Sequence, residues 1–157
     1  MTKPRPPADI TTAQGARLRF EVVDVRHHRP DYYADVLAGY KAIRLIDDRG
    51  RTRGELVWRL ATGQTVEITE FGIYDEADRR QGWGTQLLEA GLASMREFFL
   101  GKPYKLRRIY IFCDSINEQG RRFYEAHGFE LAAILPRFYH YCDAAMYARD
   151  MEREDIA

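Results

Sequence analysis

The sequence predicts an α/β domain whose sheet is mixed, mostly antiparallel, and flanked by helices. Three observations carry that expectation. Apolar and polar residues alternate in strand-like runs through the first half, at 17–25, 40–47, 52–60 and 64–73. Two stretches of helical periodicity, 82–99 and 117–127, then alternate with strand-like runs at 107–113, 129–135 and 143–151. Finally, 157 residues that are 45% hydrophobic and 31% charged suffice for one packed core of a globular protein.

Taken in order, residues 1–15 carry Pro4, Pro6 and Pro7 among small polar residues and are expected to be a mobile tail, leaving 16–153 as the domain. A first strand at 17–25 leads to a polar stretch with room for one short helix at 31–38. Strands 40–47 and 52–60 form a hairpin around Asp47-Asp48-Arg49-Gly50, residues suited to a turn. The alternation Val66-Glu67-Ile68-Thr69-Glu70-Phe71 marks the strand at 64–73. In the helix at 82–99, Leu87, Leu88, Gly91, Leu92, Met95, Phe98 and Phe99 recur every three to four residues, and Gly101-Lys102-Pro103 stops it. Asn117 is a good cap for the second helix and Gly128 a good left-handed stop. No repeat or linker interrupts the chain.

Charge and cysteine usage exclude several classes of function. Lys+Arg and Asp+Glu number 24 each, so no net field draws the chain to nucleic acid or an anionic membrane. No apolar run approaches the ~18 residues that span a bilayer, and the N-terminus lacks the apolar core of a signal peptide. Cys113 and Cys142 are far apart without metal-type spacing, so a reducing cytoplasm is the expected setting. The four histidines, including the pair His27-His28, form no ligand set, and no metal is expected.

The chemistry concentrates at Arg79-Arg80-Gln81-Gly82-Trp83-Gly84-Thr85, between a strand and a helix. The first amides of a helix lack partners within it and lie at the positive end of the peptide dipoles, so they favour an anion. Gly82 and Gly84 let a phosphate approach the backbone, and Arg79 and Arg80 add charge. A nucleotide diphosphate suits this turn; a plain helix entry is the bland alternative. A P-loop is excluded because Thr85-Gln86 follows Gly84, and a dinucleotide fingerprint because position 87 is Leu87. The pattern Arg-x-x-Gly-x-Gly resembles the pyrophosphate arm of the GNAT acetyltransferases, whose ligand is acetyl-CoA. About 35 residues on, Asn117-x5-Phe123-Tyr124-x3-Gly128-Phe129 resembles the second signature of that family. Asp143-Ala144-Ala145-Met146 is similar to a third. On these segments, spanning 64–151, the chain is identified as a member of the GNAT superfamily.

That resemblance implies an acyl-CoA N-acyltransferase fold and acetyl-CoA as co-substrate. It assigns the backbone of Phe71, Gly72 and Ile73 to the pantetheine arm and thioester carbonyl, with Gly72 suited to a bulge. It places the pyrophosphate on Arg79, Arg80, Gln81, Gly82, Trp83, Gly84 and Thr85, mostly through amides; the Trp83 ring is read as packing. Asn117 and Phe123 complete the coenzyme contacts, and Tyr124 stands where the family's general acid protonates the coenzyme A thiolate. The base is left open between Glu67, Glu70 and a water relay. The two glutamates lie three apart, so in a regular strand at most one faces the cleft. Pro136-Arg137-Phe138-Tyr139-His140-Tyr141 resembles the aromatic hairpin of protein N-terminal acetyltransferases, where Tyr139 and Tyr141 would clamp a peptide. The acceptor therefore stays open between a peptide or protein N-terminal amine and a small-molecule amine. One departure is the segment 26–39, shorter than the family's two-helix connection; the acceptor side is then unusually open or walled by a partner chain, as in a homodimer. Alternatives from other classes are a non-catalytic acyl-CoA sensor and an RNA-binding module, the latter disfavoured by the balanced charge.

Overall fold

Short turns and alternating residues favour antiparallel pairing of the early strands, because two strands joined by a tight turn can only run in opposite directions. The structure, a computed structural model, describes residues 10–11, 17–24, 41–62 and 64–151. The chain forms two compact units, Met1–Arg59 with Glu70–Pro103 and Leu60–Thr69 with Tyr104–Ala157.

The first unit contains strands β1 (Ile10–Thr11), β2 (Arg17–Asp24) and β3 (Lys41–Ile46), most of β4 (Thr52–Thr62) and the end of β5 (Thr65–Ile73). A 3₁₀ turn (Glu76–Asp78) and helix α1 (Trp83–Leu100) follow. From β1 to β4 each strand pairs antiparallel with the next, for example Thr11↔Arg17, Phe20↔Leu45 and Ile43↔Leu56. Ile43, Leu45, Leu56, Trp58, Leu87 and Met95 are fully buried, each contributing roughly 1.5–3 kcal/mol by leaving water. Gly91 lets α1 lie close to the sheet, since a Cβ there would stand 2.7 Å from Leu56 Cδ1. The Trp58 indole donates to Ser94 Oγ at 3.1 Å, which satisfies its one polar atom inside the core.

Asp47 anchors the hairpin turn although it is only 3% exposed. It accepts from the amides of Arg49 (3.0 Å) and Arg51 (2.8 Å), and its second oxygen from Arg51 Nε and Arg53 Nη1, both at 3.2 Å. Arg53 also donates to Asp78 Oδ2 from Nε (2.9 Å) and Nη2 (2.6 Å), joining the hairpin to the 3₁₀ turn. These bonds, first the one from the Arg51 amide, hold the Asp47 carboxyl at about 2, against an ordinary 3.8. A carboxylate whose pKa falls on folding stabilises the fold above its unfolded pKa, and that stabilisation fades as pH drops through the folded value. Thermal unfolding should therefore show Asp47→Asn less stable than the native chain at neutral pH, with the gap narrowing from about pH 4 towards 2. A gap constant with pH would contradict this linkage.

In the second unit the start of β5 pairs in parallel with β6 (Arg108–Asp114), in the register Val66↔Ile109 and Ile68↔Ile111. A parallel pair needs a long connection, and the chain between β5 and β6 carries α1. Strand β8 (Ala144–Asp150) is antiparallel to β6, and β7 (Glu130–Leu135) antiparallel to β8, so the order is β5-β6-β8-β7. Helix α2 (Glu118–Ala126) is capped by Asn117, whose Oδ1 accepts from the Gly120 amide at 3.0 Å, and is followed by Gly128 at φ +81°. The fully buried Tyr147 ties α2 to the sheet: its hydroxyl accepts from Arg121 Nε at 2.9 Å and donates to Glu125 Oε1 at 2.8 Å.

The described elements match the sequence expectations within one or two residues. Ile10–Thr11 forms a short strand inside the expected tail, and the rest of 1–15 lies outside the described residues. The helix expected at 31–38, the connection 26–39 and the His27-His28 pair also lie outside them. No helix among the described residues is long and apolar enough to cross a membrane.

Candidate active site

The expected site residues divide between the two units. In the first, the chain leaves β5 at Ile73 and is steered into α1 by a series of backbone constraints. The Tyr74 amide donates to the Arg53 carbonyl at 2.9 Å. Asp75 caps the 3₁₀ turn by accepting from the Ala77 amide at 3.1 Å. Arg80 (φ 62°) and Gly82 (φ 81°) then both adopt the left-handed region, and α1 begins at Trp83. A Cβ at Gly82 would meet nothing within 4 Å, so the dihedral rather than crowding calls for glycine. Arg80 has no such freedom, and its conformation costs about 1–2 kcal/mol. Strained backbone of this kind gathers at ligand-binding turns.

The Trp83 ring packs against Leu18 and Leu45, with Phe20 and Ile73 alongside, and is 5% exposed. It anchors the helix start, and only its backbone remains for a ligand. The Gly82 carbonyl takes the Gln86 amide at 3.2 Å, and the amides before it lie at the positive end of the helix dipole. Of the polar side chains here, Arg79 Nε donates to the Ile73 carbonyl (3.2 Å), Gln81 Nε2 donates to the Ala77 carbonyl (3.0 Å), and Arg80 is exposed. The result is an electropositive helix start open to an anion.

Beside it, a pocket of about 330 Å³ is lined by Glu55, Glu70, Phe71, Gly72, Ile73, Tyr74 and Arg79. Five of these were expected from the sequence; Glu55 and Tyr74 were not. A Cβ on Gly72 would meet nothing within 4 Å, so the strand there leaves open space. Glu70 lines this pocket, and Glu67, three residues earlier on the strand, belongs to the second unit. Glu55 accepts from Arg44 Nε at 2.9 Å across the β3–β4 pair. The Tyr74 hydroxyl is pushed above its usual value of 10.0, first by burial and then by the Glu55 and Glu70 carboxylates. Tyr74 was legible at alternate positions from Glu70 and Gly72; Glu55 looked like any solvated strand residue.

In the second unit, Glu67 Oε2 accepts from the Tyr110 hydroxyl at 3.0 Å. The Phe123 ring stacks on His127, with centroids 4.1 Å apart. Tyr124 is 7% exposed among Phe129 and Tyr147, whose rings lie 5.9 and 5.8 Å away. Burial pushes its hydroxyl far above the ordinary 10.0, so it keeps its proton, as an acid must. Tyr139 and Tyr141 stack 6.3 Å apart. The Tyr141 hydroxyl donates to Asp114 Oδ2, and that bond is the main cause pushing it up to about 12. Its proton is thus already committed, while its ring is 66% exposed. Asp143 accepts from the Arg137 amide at 2.8 Å, closing the loop before β8. Cys113 is buried and its thiol is pushed up by that burial, a poor nucleophile.

The model of the Acetyltransferase (GNAT) family matches residues 8–129. The chain belongs to the GNAT acetyltransferase family. No curated protein matches it. Among solved structures, an Ard1 from Thermoplasma volcanium is similar at 23% identity and TM-score 0.62, over 77% of this chain and 76% of that one. A GNAT acetyltransferase from Elizabethkingia anophelis with acetyl-CoA bound is similar at 13% identity and TM-score 0.64, over 87% and 98%. NAA60 of Arabidopsis thaliana, in complex with a bisubstrate analogue, gives 16% and 0.59, over 85% and 99%. At these identities the likeness concerns the fold, which is the GNAT fold.

Proposed function

We propose that this GNAT acetyltransferase transfers the acetyl group of acetyl-CoA to a primary amine by direct attack of the amine nitrogen on the thioester carbonyl. The observation that carries the reading is the helix start at Arg80–Thr85, where two left-handed residues lead into the positive end of the α1 dipole, after the pocket strand Phe71–Ile73. In this reading the amides and Arg80 hold the pyrophosphate, and the Phe71–Ile73 backbone holds the pantetheine and polarises the carbonyl. The nitrogen–carbon bond forms, the carbon–sulfur bond breaks, and Tyr124 gives its proton to the departing thiolate. Glu67, Glu70 or a water relay takes the proton that the amine loses. An exposed lysine amine, with an ordinary pKa near 10.4, depends on such a base more than an α-amine near 7.7–8.0 does. Residues 16–153 make up the transferase domain, and the free thiols of Cys113 and Cys142 support a cytoplasmic setting.

For the acceptor, the stacked Tyr139 and Tyr141 support a peptide or protein N-terminal amine, and the open pocket beside Glu70 suits a small amine equally well. The test is release of free thiol from acetyl-CoA in the presence of short peptides and of small amines. Amine-dependent release with either group is the expected result and selects the acceptor class. Acetyl-CoA binding with no release for any amine would replace the enzyme reading with that of an acyl-CoA sensor.

A further inference from the structure

We infer that Tyr110 is a positioning residue for the reaction, its hydroxyl holding the Glu67 carboxylate in the orientation that accepts the amine proton. This rests on the proposed function and selects Glu67 as the base within it. Glu67 and Tyr110 are direct partners in the parallel β5–β6 register. Their neighbours Val66, Ile68, Ile109 and Ile111 are buried, whereas both are half-buried, so the pair lies on the opposite face of these strands from the core. On that face the phenol donates to Oε2 at 3.0 Å.

A glutamate side chain has three rotatable bonds and loses up to about 2 kcal/mol of rotamer freedom when ordered. A fixed donor on one carboxyl oxygen meets that cost before the acceptor arrives, which is what a base needs for a productive geometry. The donor is itself held. Phe112, two residues along β6, packs edge-to-face on Tyr110 with centroids 5.6 Å apart and stacks on Phe138 at 5.3 Å. Tyr110 thus has one end braced by rings and the other aimed at the carboxylate. A cross-strand Tyr–Glu pair also stabilises a sheet without any catalytic role, and the experiment separates the two.

The full-length chain and the variants Tyr110→Phe, Glu67→Gln and the double variant are compared by amine-dependent thiol release, alongside their unfolding midpoints. Phenylalanine keeps the contact with Phe112 and removes only the hydroxyl. Tyr110→Phe is expected to lower kcat roughly tenfold with KM for acetyl-CoA unchanged, the effect of losing one hydrogen bond to a charged group. In the Glu67→Gln background the same change should have no further effect on kcat. An equal loss in both backgrounds would make Tyr110 merely structural and overturn the inference, as would an unchanged kcat in Tyr110→Phe while Glu67→Gln is slow. If Glu67→Gln alone keeps the native rate, the base assignment fails first and the inference with it.

Discussion

Gly82→Val is expected to abolish acetyl-CoA binding while the sheet and α1 persist. Gly82 caps α1 at φ 81° and ψ 2°, a conformation that a β-branched residue adopts only with strain. No atom lies within 4 Å of the position its Cβ would take, so the substitution creates no clash in the core. The buried Trp83 ring holds the helix start from behind. Strain therefore has one outlet: the turn from Arg80 to Gly82 rotates and the first-turn amides lose their common direction. Losing two charge-assisted hydrogen bonds to a pyrophosphate weakens Kd on the order of 10²-fold or more. Calorimetry reads the affinity and circular dichroism the fold. Native affinity in a folded Gly82→Val chain would contradict the placement of the pyrophosphate.

Tyr124→Phe should lower kcat on the order of 10²-fold, the usual worth of general acid catalysis, with acetyl-CoA affinity unchanged. The hydroxyl alone is lost, and the ring contacts with Phe129 and Tyr147 remain available to phenylalanine. Because burial keeps the Tyr124 proton in place well above pH 10, the native rate should not fall at alkaline pH through ionisation of this group. A Tyr124→Phe rate within about twofold of the native one would mean that Tyr124 only packs, and that water or another donor protonates the thiolate.

The fold was largely legible because its signals are local. The Asp47–Gly50 turn, the Asn117 cap and the Gly128 stop each depend on a few adjacent residues, and each stands where periodicity placed it. The site was legible in part. The glycines and arginines of 79–84 and the Asn117-to-Phe129 signature marked the candidate coenzyme side, since backbone conformation and capping restrict which residues can stand there. What the sequence concealed depends on contacts between strands. Glu55 shares the pocket with Glu70, and Arg53 joins Asp47 to Asp78, only because the strand pairing brings them together. The Glu67–Tyr110 bond likewise needs the β5–β6 register, which no periodicity reveals. Tyr141 was legible as an aromatic side chain, but its tie to Asp114 spans 27 positions of sequence.

Calorimetric titration of the intact chain with acetyl-CoA, coenzyme A and ATP reads the donor site before any acceptor is identified. Binding of both coenzymes, with ATP weaker by about tenfold or more, is the expected result. ATP bound as tightly as acetyl-CoA, or no binding of either coenzyme, would make the Arg79–Thr85 turn an ordinary helix entry and contradict the acetyl-CoA-dependent reaction.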